Sequence, residues 1–228
     1  VKPEDLHGHV TPGGASWTYD LGSVVVRKCS VSEMDNNVYL ITCTATGERL
    51  LVDAADDVER IVRLLEEDGR RGGHELGQVL TTHRHWDHHR ALPELVRRTG
   101  AATLAGAVDA DDLPVPVDHR LRDGDTLRVG NLVLDVVHLR GHTPGSVALA
   151  LSTAADRTTT LLFTGDSLFP GGPGRTTSAH DFTVLMDDLE ARVFAVFDDD
   201  ALVLPGHGDN TTLGAERGSL PQWRERGW

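Results

Sequence analysis

With 228 residues, 39% of them hydrophobic, and with 24 glycines and 10 prolines, the chain can bury the core of one large domain made of short elements and tight turns. Its 22 Lys and Arg against 35 Asp and Glu leave a formal charge of -13, which argues against nucleic acid as a partner, because most of the surface would repel a phosphate backbone. No run approaches the roughly 20 apolar residues of a membrane span. Val1 to Val10 carries charges and histidines in place of a signal peptide's apolar centre, so a cytoplasmic location is expected, with Cys29 and Cys43 as buried free thiols.

After a lead to about Gly22, the Val-, Ile- and Thr-rich stretches Ser23 to Val31, Val38 to Thr44 and Arg49 to Asp53 predict a strand meander. Val58, Ile61, Val62 and Leu65 recur at helical spacing within Ala55 to Asp68, with Gly69 just past the end. Leu76 to Thr81 reads as a short strand, and Arg90 to Arg98 as a helix closed by Gly100. The Asp- and Pro-rich stretch from Asp109 to Asp118 reads as a surface loop. The second half predicts strands at Thr126 to Val129, Leu132 to Leu139, Ser146 to Leu151 and Thr159 to Thr164, a helix from about His180 to Val196, and a strand at Ala201 to Leu204. Strands followed by a helix in each half suggest two β-rich layers flanked by helices.

Between the strand ending at Thr81 and the helix beginning near Arg90 lies Thr82-His83-Arg84-His85-Trp86-Asp87-His88-His89. Neutral imidazole and carboxylate are the ligands of a borderline cation such as zinc or iron. In an extended turn His83 and His85 point to one side and can clasp one ion, while Asp87 and His88 fall one step further along. Three Gly-flanked turns follow strands downstream: Gly141-His142-Thr143-Pro144-Gly145, Thr164-Gly165-Asp166-Ser167 and Pro205-Gly206-His207-Gly208. One tetrahedral ion cannot use all these donors, so a second ion is the economical reading. Asp53, ending the third strand, can orient a ligand imidazole through a hydrogen bond. Trp86 reads as a pocket wall, His89 as an exposed or supporting residue, and His7, His9, His74, His119, His138 and His180 as surface or packing residues.

His-x-His-x-Asp-His at 83 to 88, followed by a distal His, Asp and His in that order, resembles the metallo-β-lactamase superfamily. The resemblance implies an α/β fold, a four-layered αββα sandwich in a single domain over residues 1–228, with the metals at one edge of two packed sheets. It assigns His83, His85 and His142 to a first ion, Asp87, His88 and His207 to a second, and Asp166 as a bridge. The ions would be divalent, zinc by preference and iron or manganese as alternatives. Gly-His-Thr-Pro-Gly-Ser at 141 to 146, Phe-Thr-Gly-Asp-Ser-Leu-Phe at 163 to 169 and Gly-Pro-Gly-Arg at 172 to 175 are most similar to the glyoxalase II group, whose members hydrolyse glutathione thioesters. Arg175 matches a cationic position near the bound thiol. Two departures stand out: Thr177 replaces a frequent aromatic residue, and the sequence runs only to Trp228, without the helical C-terminal extension that holds glutathione in that group.

The expected reaction is cleavage of a small thioester or ester by a hydroxide held between two ions about 3.5 to 4 Å apart, with Asp87 orienting it. A common zinc β-lactamase would carry Cys in place of Asp166, and a diiron flavoprotein Glu in place of His85, so both readings lose ground. The alternatives kept are a mononuclear iron persulfide dioxygenase and a lactonase or other small-ester hydrolase.

Overall fold

The computed structural model describes residues 6–67, 76–153 and 159–227, so that Asp68, Gly69, His74 and Trp228 lie outside the described residues. The first half forms β1 (Trp17–Asp20), β2 (Val24–Val31), β3 (Asn36–Cys43) and β4 (Arg49–Val52), then α1 (Val58–Glu66), β5 (Gln78–Thr81), α2 (Leu92–Thr99), β6 (Ala102–Gly106) and β7 (His119–Leu121). These strands make a sheet in sequential order, antiparallel from β1 to β4 and parallel from β4 to β7.

The second half forms β8 (Thr126–Val129), β9 (Leu132–His138), β10 (Val147–Thr153), β11 (Thr159–Gly165), a small hairpin of β12 (Leu168–Phe169) and β13 (Gly172–Pro173), and α3 (Ala179–Leu189). It ends with β14 (Leu202–Pro205), β15 (Thr211–Thr212), α4 (Leu213–Arg217) and α5 (Leu220–Arg226). Its sheet runs β15-β14-β11-β10-β9-β8, with β11 and β14 parallel and the other pairs antiparallel.

Alternation along the strands sets the layers. Val24, Val26, Ile41, Leu50, Val52 and Leu80 of the first sheet meet Leu134, Leu149, Leu151, Leu161, Phe163 and Leu204 of the second in the central core. The opposite face of the first sheet, with Val38, Leu40, Leu51 and Val79, is covered by Ile61 and Leu64 of α1 and Leu92 and Leu95 of α2. The outer face of the second sheet offers small Ala148 and Ala150 to Phe182, Leu185 and Met186 of α3. Burial on both faces explains why β3 is buried at every position, without the polar alternation of a one-sided strand. The result is the αββα sandwich.

The differences from the sequence reading have local causes. α1 starts later than Ala55 because Asp57 caps it, its side chain accepting from the Arg60 N–H. The carbonyls of Ala54 and Ala55 instead accept from Ala91 and Arg90 at the head of α2, which begins at Leu92. β1, β6 and β7 carried little β signal: β6 is Ala-Thr-Leu-Ala-Gly, and β7 is three residues long. The tail forms α4 and α5, whose Trp223 packs in the outer core beside α3. The stretch from Asp109 to Asp118 needs correction as a plain surface loop. Ala110–Asp112 makes a turn of 3-10 helix and Asp109 is only 1% exposed, buried because its carboxylate satisfies donors from two other loops.

Candidate metal centre

Each cluster of potential ligands follows the C-terminal end of a strand, so β5, β9, β11 and β14 deliver them to one edge of the sandwich. After β5 the chain turns at Thr82, whose N–H and hydroxyl both donate to the Asp53 carboxylate at 2.8 Å. His83 and His85 follow, and Trp86–His88 forms a single 3-10 turn that carries Asp87 and His88. β11 ends at Gly165, with φ +50°, where a Cβ would lie 2.7 Å from Thr82 Oγ1; this close passage brings Asp166 beside the histidine loop.

Seven side chains converge there. His83 Nε2, His85 Nδ1 and His142 Nε2 form a triangle with edges of 3.1, 2.9 and 3.2 Å. His88 Nε2, His207 Nε2 and Asp87 Oδ2 form a second, with edges of 3.2, 3.4 and 3.5 Å. Asp166 stands between them: Oδ2 lies 3.6 Å from His142 Nε2 and 3.4 Å from His207 Nε2, and Oδ1 lies 3.4 Å from His88 Nε2.

The donor set fits divalent cations. Zinc–nitrogen bonds of about 2.0 to 2.1 Å at tetrahedral angles separate the nitrogens by roughly 3.3 Å, and the observed edges lie within a few tenths of an ångström of that. Asp166 Oδ1 is buried without a hydrogen-bond partner among the described residues, which is costly for a carboxylate oxygen unless a cation meets it. Among the described residues, three groupings could hold an ion: His83 with His85 and His142; His83 with His88 and Asp166; and Asp87 with His88 and His207.

The surroundings fix each ring. His88 Nδ1 lies 2.9 Å from Asp53 Oδ2, His142 Nδ1 lies 2.7 Å from the Arg175 carbonyl, and His207 Nδ1 lies 2.7 Å from the Met34 carbonyl. These bonds leave the other ring nitrogen of each for the centre. Asn36, which spacing in the sequence did not single out, donates from Nδ2 to Asp87 Oδ2 at 3.0 Å. The signal available for it was a pair of amides heading an otherwise apolar strand. His89 is buried, its Nε2 lying 3.1 Å from the Arg84 carbonyl. Trp86 is 57% exposed, with the Arg90 guanidinium 4.0 Å above its ring, and the Arg175 side chain is exposed. Of the histidines read as peripheral, His9 pairs with Asp209, and His138 Nε2 lies 2.9 Å from the Pro144 carbonyl.

Electrostatics divide the centre. Burial, reinforced by neighbouring imidazoles, holds His83 and His85 below the ordinary histidine range, so they are neutral and ready to donate lone pairs. Burial also opposes charge on His88 and His207, but nearby carboxylates prevail, raising His88 well above its usual value and His207 to about 10. Burial works against ionised Asp87 and Asp166 as well. It is outweighed at Asp87 by the adjacent His207 imidazole and the hydrogen bond from Asn36, and at Asp166 by the charge of His88 and the adjacent His207 imidazole, so both stay low.

A cation taking His207 must therefore displace a proton that the metal-free protein keeps up to a pH of about 10. Zinc affinity should rise with pH across the range below that value. Calorimetric titration at pH 7.5 in two buffers of different ionisation heat should show net proton release, and release of no proton would contradict a charged His207.

Beside His85 and His142 opens a cavity of about 370 Å³ lined by Arg84, Arg140, Thr143, Thr177, His180 and Val184, among others. Among the described residues, no helix is long and apolar enough to cross a membrane.

Comparison with known proteins agrees with this architecture. The hydroxyacylglutathione hydrolase of Jannaschia sp. (strain CCS1) is 40% identical over 141 residues, covering 62% of this chain and 51% of the relative. The chain thus spans about half the length of such curated relatives. The crystal structure of ETHE1 from Myxococcus xanthus superposes with a TM-score of 0.74 at 30% identity, covering 88% of this chain and 84% of that one. The crystal structure of TTHA1623 in a di-iron-bound form superposes with a TM-score of 0.65 at 27% identity, covering 82% of this chain and 95% of the other. The model of the metallo-beta-lactamase superfamily matches residues 31–207, a span that contains all seven converging side chains, and the chain belongs to that superfamily.

Proposed function

We propose that the protein is a metal-dependent hydrolase of a small thioester or ester, working at a centre for two divalent cations. His83, His85 and His142 would hold one, Asp87, His88 and His207 the other, and Asp166 both. Zinc suits this set best, and iron or manganese would also fit. The observation that carries the reading is the pair of three-donor triangles sharing one carboxylate between them. When bound, such cations supply an activated water near neutral pH and Lewis acidity for a substrate carbonyl.

The chain's own residues supply the rest. Asp87, fixed by the Asn36 amide and kept ionised, orients the attacking water. Asp53 and the carbonyls of Arg175 and Met34 hold the imidazoles in one tautomer and one direction. The cavity beside His85 and His142 is large enough for a small acyl group and part of its carrier. Arg175, whose carbonyl holds His142 and whose side chain is exposed, would meet the carrier, with exposed Trp86 as an outer wall. A thiolate or activated alkoxide departs without full protonation, so these residues need no separate general acid. The hydroxyacylglutathione hydrolases among the relatives make a glutathione thioester the first substrate to try.

The test is metal analysis of protein purified without chelator, together with hydrolysis of a hydroxyacyl-glutathione. Close to two ions per chain are expected, with activity lost on chelation and restored by zinc. Full activity with no bound metal would overturn the reading.

One observation favours a second reading. His83, His88 and Asp166 by themselves make a two-histidine, one-carboxylate set of the kind that holds a single iron for oxygen chemistry. Oxygen uptake with iron and glutathione persulfide, in place of thioester cleavage, would favour a persulfide dioxygenase.

A further inference from the structure

The two triangles are not supported alike. The second has an evident brace in Asp53, which touches His88 directly. In the first, the Arg175 carbonyl aligns His142, but His83 and His85 must also be brought to a histidine 57 residues further along the chain from His85. Asp109, at the end of the β6 loop, lies between those segments and is almost fully buried. Its Oδ2 accepts from the N–H of Arg84, the residue between His83 and His85, at 3.0 Å. The same oxygen accepts from the Thr143 hydroxyl at 2.5 Å, and Oδ1 accepts from the Gly145 N–H at 2.8 Å, both next to or near His142.

Thr143 Oγ1 also lies 2.7 Å from Ser146 Oγ, so the clamp is anchored to the start of β10. The backbone approach is equally specific. A Cβ on Gly106 would lie 1.9 Å from the Gly145 carbonyl oxygen, and one on Gly145 would lie 2.4 Å from the Asp109 nitrogen. Asp109 is not a simple ion-pair partner of Arg84: the nearest guanidinium approach is 4.0 Å, while Asp112 takes that charge at 2.5 Å. A buried carboxylate whose acceptors are spent on backbone and hydroxyl donors from two ligand loops is a fastening between those loops.

We propose that Asp109 is the positioning residue of the three-imidazole subsite, fixing the spacing of His83 and His85 relative to His142. This rests on the two-cation reading above. It goes further in assigning one subsite, and not the other, to a carboxylate that ligates nothing. Loss of Asp109 should weaken that subsite selectively, by about the 10- to 100-fold that supporting partners of metal ligands typically contribute.

The experiment is Co²⁺ titration of the full chain by equilibrium dialysis and visible absorption in two backgrounds. In His207→Ala the best remaining subsite is the three-imidazole one; in His85→Ala it is the one with Asp87, His88 and His207. Asp109→Asn should weaken binding about 10- to 100-fold in the first background and leave the second unchanged. Equal weakening in both backgrounds, or in neither, would overturn the proposal. Melting of the metal-free proteins reports whether Asp109→Asn folds. Should it not, Thr143→Val removes one donor of the same clamp and must show the same selectivity, with Thr143→Ser restoring affinity; a Thr143→Val protein with unaltered affinity in the first background would sink the idea. Failure of the parent chain to bind any Co²⁺ would instead overturn the two-cation reading itself.

Discussion

Asp166→Ala is expected to leave the sandwich folded and, on the proposed two-cation function, to reduce thioester hydrolysis by more than about 10³-fold, because it removes the group lying between both donor triangles. Its two oxygens lie 3.4 to 3.6 Å from ring nitrogens of His88, His142 and His207. Without it, His88 and His207, which face each other at 3.2 Å, are left with Asp87 as their shared counter-charge. The checking measurements are metal content, expected to fall below two ions per chain, and circular dichroism, expected to be unchanged. Retention of two tightly bound ions and wild-type turnover would contradict the bridging role.

Gly206→Ala should be nearly as damaging, although it adds one methyl group and removes nothing. The added Cβ would lie 2.2 Å from Asp166 Oδ1 and 2.7 Å from His88 Cε1. The backbone cannot easily retreat, since the Gly206 N–H donates to the Gly165 carbonyl and its own carbonyl accepts from the Asn37 N–H, at 2.9 and 2.8 Å. The carboxylate must move, and metal affinity with it. Gly208→Ala is the control: its φ of +66° puts a side chain in the left-handed region, at a cost of about 1 to 2 kcal/mol, but nothing lies within 4 Å of the new atom. Metal titration should therefore separate the two alanines, with Gly208→Ala losing thermal stability and keeping its cations. Equal affinities in both would show that the site tolerates the crowding.

The strand meander, the strand-to-helix placement of the His83–His88 loop and the Gly100 cap were legible because hydrophobic period and helix-stop chemistry are local. The ligand candidates were legible for another reason: four imidazoles and a carboxylate within His83–His89, with three Gly-flanked turns downstream, are hard to place in an ordinary core. Less visible were groups whose role depends on folding alone. Asn36 heads a strand, and only the crossing of that strand against the His207 turn, where the two residues form an isolated bridge, brings its amide to Asp87. Asp109 lay in an Asp- and Pro-rich stretch whose composition is that of a solvated loop, and its burial is set by the approach of Gly106 and Gly145, residues far apart in the chain. β6 and β7 carried little signal because parallel pairing, of β6 to β5 and of β7 to β6, and not their own propensity, makes them strands.

The seven converging groups come from both halves, four from the loop after β5 in one sheet and three from turns after β9, β11 and β14 in the other. The turn bearing His207 is also tied across the sandwich: Lys28 donates to the Gly208 carbonyl, and Asn37 and Tyr39 donate to the Pro205 carbonyl. A small sliding of one sheet over the other would thus pull the triangles apart before it opened the apolar interior. The centre is a rivet through a laminate, and the spacing of its donor atoms would register shear between the layers that the interior itself would tolerate.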